Sequence, residues 1–79
     1  MNETVVKIKT EFIKLDQLLK FSGIAETGGM AKQMIEDGII MVNGEDCFMR
    51  GKKLRSGDFA VVNGEGIPLT KLIISAVGT

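Results

Sequence analysis

Polar and apolar residues alternate through the β-branched stretch Thr4 to Lys9, which predicts a strand. The period then lengthens. Leu15, Leu18 and Leu19 fall at i, i+3 and i+4, so Lys14 to Ser22 predicts a short helix with one apolar stripe. Gly23 follows as a left-handed cap. A second helix is predicted from Gly28 to Asp37, with Thr27 as its N-cap and Gly38 as its stop. Met30, Ala31, Met34 and Ile35 form its expected buried face. Lys32, Gln33, Glu36 and Asp37 point to solvent.

Shorter periods fill the rest of the chain. Ile39 to Val42 predicts a strand, and Asn43-Gly44 after it predicts a type I′ hairpin turn. The return arm is expected from Asp46 to Met49. Arg50 to Arg55 then reads as a basic loop and Ser56-Gly57-Asp58 as a turn. Phe59 to Val62 is a strand, and Asn63-Gly64 opens another turn. Gly66 and Pro68 interrupt the chain before a final apolar strand, Leu69 to Val77, which could pair with the first. The pattern is α+β, with two short helices packed on a small, mostly antiparallel β-sheet.

With 79 residues and neither repeat nor linker, the chain reads as a single domain, 1–79. Hydrophobic residues make up 44%, but Trp and Tyr are absent and Phe numbers 4, so the expected core is aliphatic and Met-rich. The single cysteine, Cys47, can form no internal disulfide, which fits a reducing compartment. No apolar run reaches the ~20 residues that span a membrane, and Met1 to Thr4 lack a secretory pattern. The expected compartment is the cytoplasm.

The chain carries no His, which removes most general acid–base schemes and the common metal sites. Cys47 follows two acids in an expected strand, with no base to activate it. No enzyme activity, metal or cofactor is expected. The ten basic and ten acidic residues cancel, but from Cys47 to Gly57 there are four basic residues and no acid. Arg50, Lys52, Lys53 and Arg55 could clamp a phosphate backbone or simply keep a hairpin edge soluble. Gly28-Gly29 opens the second helix beside Thr27 and Lys32. A helix start with bare glycines suits phosphate, and it equally reads as a flexible helix start.

Taken in order, the residues from 14 to 62 resemble the small RNA-binding domain with the alpha-L motif, as in ribosomal protein S-four. The matching residues are Lys14-Leu15-Asp16 with Leu19, Gly23-Ile24-Ala25 and Ala31. Met34-Ile35, Gly38, Ile40 and Val42-Asn43-Gly44 follow, and Gly57-Asp58 precedes an apolar strand. The Thr27-Gly28-Gly29 segment and Arg50-Gly51-Lys52-Lys53-Leu54 look most like the small stand-alone YaaA/YbcJ-type members. Two positions depart from the pattern. Lys14 stands for an Arg and loses its planar fork, and Thr27-Gly28 stands for Ser-Arg, removing an RNA-contacting Arg. The resemblance implies the alpha-L RNA-binding fold as core motif, with extra N- and C-terminal strands. It also implies binding to structured RNA, ribosomal RNA or the ribosome, with no membrane partner and no small-molecule substrate. The expected RNA-binding residues are Lys14, Thr27, Gly28, Gly29, Lys32, Gln33, Arg50, Lys52, Lys53 and Arg55. No aromatic platform for stacking bases is evident, so recognition by shape and backbone is expected. The competing reading is a β-grasp-like protein-interaction module. Sulfur carriers of that kind end in Gly-Gly, whereas this chain ends Val77-Gly78-Thr79.

Overall fold

In the computed structural model, which describes residues 2–77, alternation along the strands converts directly into a two-faced sheet. β1 (Asn2–Ile8), β7 (Thr70–Ala76), β6 (Phe59–Val62), β3 (Ile40–Val42) and β4 (Glu45–Asp46) lie side by side in that order. β1 and β7 run parallel, from Asn2 opposite Thr70 to Ile8 opposite Ala76. The remaining pairs are antiparallel. The two terminal apolar strands thus pair within one chain, and the sheet is mixed but mostly antiparallel.

Every second residue faces one buried side: Val6 and Ile8, Leu72 and Ile74, Ala60 and Val62, Ile40 and Val42. Helices α1 (Leu15–Phe21) and α2 (Gly28–Glu36) close that side. Leu15, Leu18 and Leu19 of α1 join Ala31 and Ile35 of α2 in the same core. Each fully buried leucine contributes about 1.5–3 kcal/mol relative to an exposed one. The core is aliphatic, as expected, but it is not Met-rich: its fifteen buried members are Val, Ile, Leu and Ala. Met34 packs against it only from the edge. Met30, expected on the buried face of α2, is 45% exposed. Ala31 and Ile35 already fill the space against α1, and Met30 lies at the helix start, outside that contact.

Short-range signals set most of the boundaries. Thr27 caps α2, its Oγ1 accepting from the Met30 N–H at 3.1 Å. Gly23 and Gly38 stand at positive φ beyond the two helices. At Gly38 a Cβ would also come within 3.1 Å of the Phe48 ring. Asn43 and Gly44 both adopt positive φ, as a type I′ turn requires. The expected return arm Asp46 to Met49 is shorter, however. Pairing covers Glu45 and Asp46, after which the Cys47 N–H still donates to Ile40 O at 3.0 Å. Phe48 then leaves the ladder to pack its ring over Gly38. Cys47 therefore lies past β4, not within a strand, and is half-buried. The turn near Asn63-Gly64 sits slightly later, where the Ile67 N–H donates to Gly64 O around Glu65 and Gly66. Gly66 supplies its positive φ.

Candidate nucleic-acid interface

The largest departure from the sequence pattern lies in the basic segment. Lys53 and Leu54 form a strand, β5, which pairs antiparallel with β2 (Ile13–Lys14) just ahead of α1. Leu54 explains why the segment is no free loop. It is fully buried in the core, and its neighbours Lys53 and Arg55 are exposed. Ile13 pairs with Leu54, and Lys14 with Lys53.

A second device holds the segment in place. Lys14 is the N-cap residue of α1 and offers no side-chain cap. The first amides of the helix find acceptors in the basic segment instead. The Leu15 N–H donates to Lys52 O at 2.8 Å, and the Asp16 N–H donates to Arg50 O at 3.1 Å. Those two backbone carbonyls thus do the work of a capping side chain. In return, Arg50, Lys52 and Lys53 are fixed at the head of α1 beside Lys14. Arg55 extends the cluster, and its N–H donates to Asp58 Oδ2 at 2.8 Å.

Asp58 links this cluster to the hairpin. Asn43 Nδ2 donates to Asp58 Oδ1 at 3.2 Å, and the Phe59 N–H donates to Asn43 Oδ1 at 3.0 Å. The backbone adds a third tie, from the Asn43 N–H to Phe59 O at 2.9 Å. The Val-Asn-Gly and Gly-Asp elements of the sequence pattern are therefore partners in one clamp.

The structure gathers five of the expected residues: Lys14, Arg50, Lys52, Lys53 and Arg55. The other five, Thr27, Gly28, Gly29, Lys32 and Gln33, lie on the exposed start and outer face of α2. A Cβ at Gly28 would meet nothing within 4 Å, so its backbone is open to approach. Lys32 is engaged with Glu36, at 3.9 Å, and Gln33 Nε2 donates to Asp37 Oδ1 at 2.8 Å. These are weak, exposed contacts along one helix. The first group sits at the head of α1 and the second on α2, which packs on α1.

Two aromatic rings lie beside this surface, although the sequence shows no evident platform for stacking. Phe12 is partly exposed, with Lys53 Nζ 4.8 Å and Arg55 Cζ 5.7 Å from its ring centroid. Phe21, at the end of α1, is 65% exposed. Phenylalanines ordinarily mark the core, and the only sequence signal here is their spacing around a basic helix start. Among the described residues no three His, Cys, Asp or Glu side chains gather as metal ligands. Nor is any helix long and apolar enough to cross a membrane.

A mixed sheet covered by a helix pair, with basic side chains fixed at the head of the first helix, defines a small nucleic-acid-binding type of module. Comparison with known proteins makes this specific. Residues 6–70 match the S4 domain model, and the chain belongs to the S4 domain family of RNA-binding domains. It is 39% identical over 61 residues to the probable ribosome maturation protein RlbA of Bacillus subtilis (strain 168), covering 77% of this chain and 86% of that protein. Its fold is similar to that of Heat Shock Protein 15 of Vibrio cholerae, solved as a trimer. The TM-score is 0.70 at 24% identity, over 86% of this chain and 67% of that one.

Proposed function

We propose that this protein binds structured RNA, ribosomal RNA or a ribosomal particle, and that it acts there without catalysing a reaction. The observation that carries the reading is the capping of α1 by the Arg50 and Lys52 carbonyls, which presents Lys14, Arg50, Lys52 and Lys53 together. In this reading these side chains and Arg55 engage phosphates along one backbone. Gly28 and Gly29 offer open amides at the start of α2, with the Thr27 hydroxyl, Lys32 and Gln33 beside them. Membership of the S4 family and the ribosome-maturation name of the Bacillus subtilis relative support ribosome association over a β-grasp-like protein-interaction module. The compartment is then that of the ribosome, the cytoplasm.

The test is a titration of ribosomal RNA fragments and ribosomal subunits at several salt concentrations. The wild type is expected to bind with an affinity that falls as salt rises, by roughly 0.7–0.9 in log–log slope per phosphate contact. A variant with Lys32, Lys52, Lys53 and Arg55 all changed to Ala should bind more weakly and with a shallower slope. Equal binding by the two proteins at every salt concentration would reject the reading.

A further inference from the structure

Phe12 and Phe21 line a groove that the expected RNA-binding residues, Lys14 apart, do not account for. Two adjoining open hollows share Thr10, Ile13 and Phe21. Phe12 and Ile13 form one apolar wall, and Phe21 presents its ring from the end of α1. The rim is basic. Lys14 and Lys20 line one hollow, Lys7 and Lys9 the other, against a single acid, Glu11. Gln17 adds an amide with both donors and an acceptor.

We infer that this groove holds an unpaired nucleobase flanking a structured RNA element, stacked against Phe21, with neighbouring phosphates on the lysine rim. The inference rests on the RNA-binding reading and extends it to a part of the surface with different chemistry. Three observations select this occupant. An aromatic ring 65% exposed at a groove wall offers a π-face at small cost in desolvation. The four lysines against one glutamate favour a polyanion over a neutral apolar peptide. The groove is also continuous with the basic cluster. Lys14 belongs to both, and Lys53 and Arg55 lie over the Phe12 ring that forms its wall. A strand leaving a helix bound at the cluster would enter the groove directly.

The experiment measures fluorescence anisotropy with the ribosomal RNA hairpin that binds best in the titration above. One form of the hairpin is blunt and one carries a four-adenosine single-stranded overhang at either end in turn. The overhang should tighten wild-type binding on the order of tenfold, as expected for stacking of one base. Phe21→Ala should abolish that gain and leave blunt-hairpin affinity within about twofold, the ring being exposed and outside the core. Phe21→Leu, which keeps an apolar side chain without a π-face, should also lose it, and Phe21→Trp should retain it. Lys20→Ala should reduce the gain and its salt dependence. If the blunt hairpin binds and neither overhang helps, or if the gain survives Phe21→Ala, the groove does not hold a base and the RNA-binding reading stands. If no hairpin binds in either form, both fall. Saturable binding of an acidic, apolar peptide that Phe21→Ala removes, with no effect of the overhang, would assign the groove to a protein partner and overturn the inference.

Discussion

Replacing Asn43 by Ala tests whether the hairpin clamp sets the stability of this domain. The Asn43 side chain makes two hydrogen bonds, one to Asp58 Oδ1 and one from the Phe59 N–H. Both are exposed, so each is worth about 0.5–1 kcal/mol. Asn43 also stands at φ 51, where Ala adds roughly 1 kcal/mol of backbone strain. The loss is then about 2–3 kcal/mol, a large share of the ~4–12 kcal/mol expected for a domain of this size. At ~4–8 °C per kcal/mol, the Tm should fall by about 8–24 °C. The chain supplies its own control in Asn63, which also precedes a glycine. Its φ is not positive, and its backbone N–H, donating to Ile39 O, survives the substitution. Asn63→Ala should move the Tm by no more than ~3 °C. Thermal unfolding followed by circular dichroism on both variants decides the matter. Equal shifts for the two would refute the clamp, because they would mean that residue type before glycine, and not this geometry, carries the effect.

Leu54→Ala should cost about 2–5 kcal/mol, as for any fully buried leucine. It should also lower RNA affinity at temperatures where the protein is still folded, because β5 holds the basic side chains; calorimetry paired with RNA titration checks both. Thr27→Ala removes the N-cap of α2 and should cost about 1 kcal/mol, with faster amide exchange at Met30 as its local signature. Gly38→Ala meets both a positive φ and the Phe48 ring, so a loss of at least ~1 kcal/mol is expected in chemical denaturation.

Much of this architecture is legible in the sequence because it depends on local periods. The leucine stripe of α1, the Thr27 cap and the Asn43-Gly44 turn each require only a few neighbouring residues. The same locality explains what was not legible. β2 and β5 have two residues each, too few for any alternation to register. The one clue to β5 was Leu54, an apolar residue among cations, and its meaning depends on Ile13 forty-one positions earlier. The places of Phe12 and Phe21 were hidden for a related reason. Phe12 lies just ahead of the two-residue strand β2, and Phe21 closes α1 outside its leucine stripe, so no local period assigns either ring a face. Met30 departs from the expected face by rotation alone: α2 has nine residues, and its buried positions are Ala31 and Ile35.

The way the basic side chains are held bears on a net charge of zero. Lys14, Arg50, Lys52 and Lys53 are located through backbone hydrogen bonds, at 2.8 and 3.1 Å to the head of α1 and through the pairing of β2 with β5. Among the described residues the ion pair present is Lys32 with Glu36. The gathered cations are thus positioned by the main chain while their charged ends are not spent on internal acids. Fixing a backbone in advance lowers the ordering cost of binding, and keeping the charged ends off internal acids preserves their charge for a partner. A general nucleic-acid binder attains affinity by carrying an excess of cations. This fold instead confines a few cations to one helix head. Under the proposed function, an RNA partner must therefore present phosphates at matching positions, and shape rather than overall charge decides which RNA is retained.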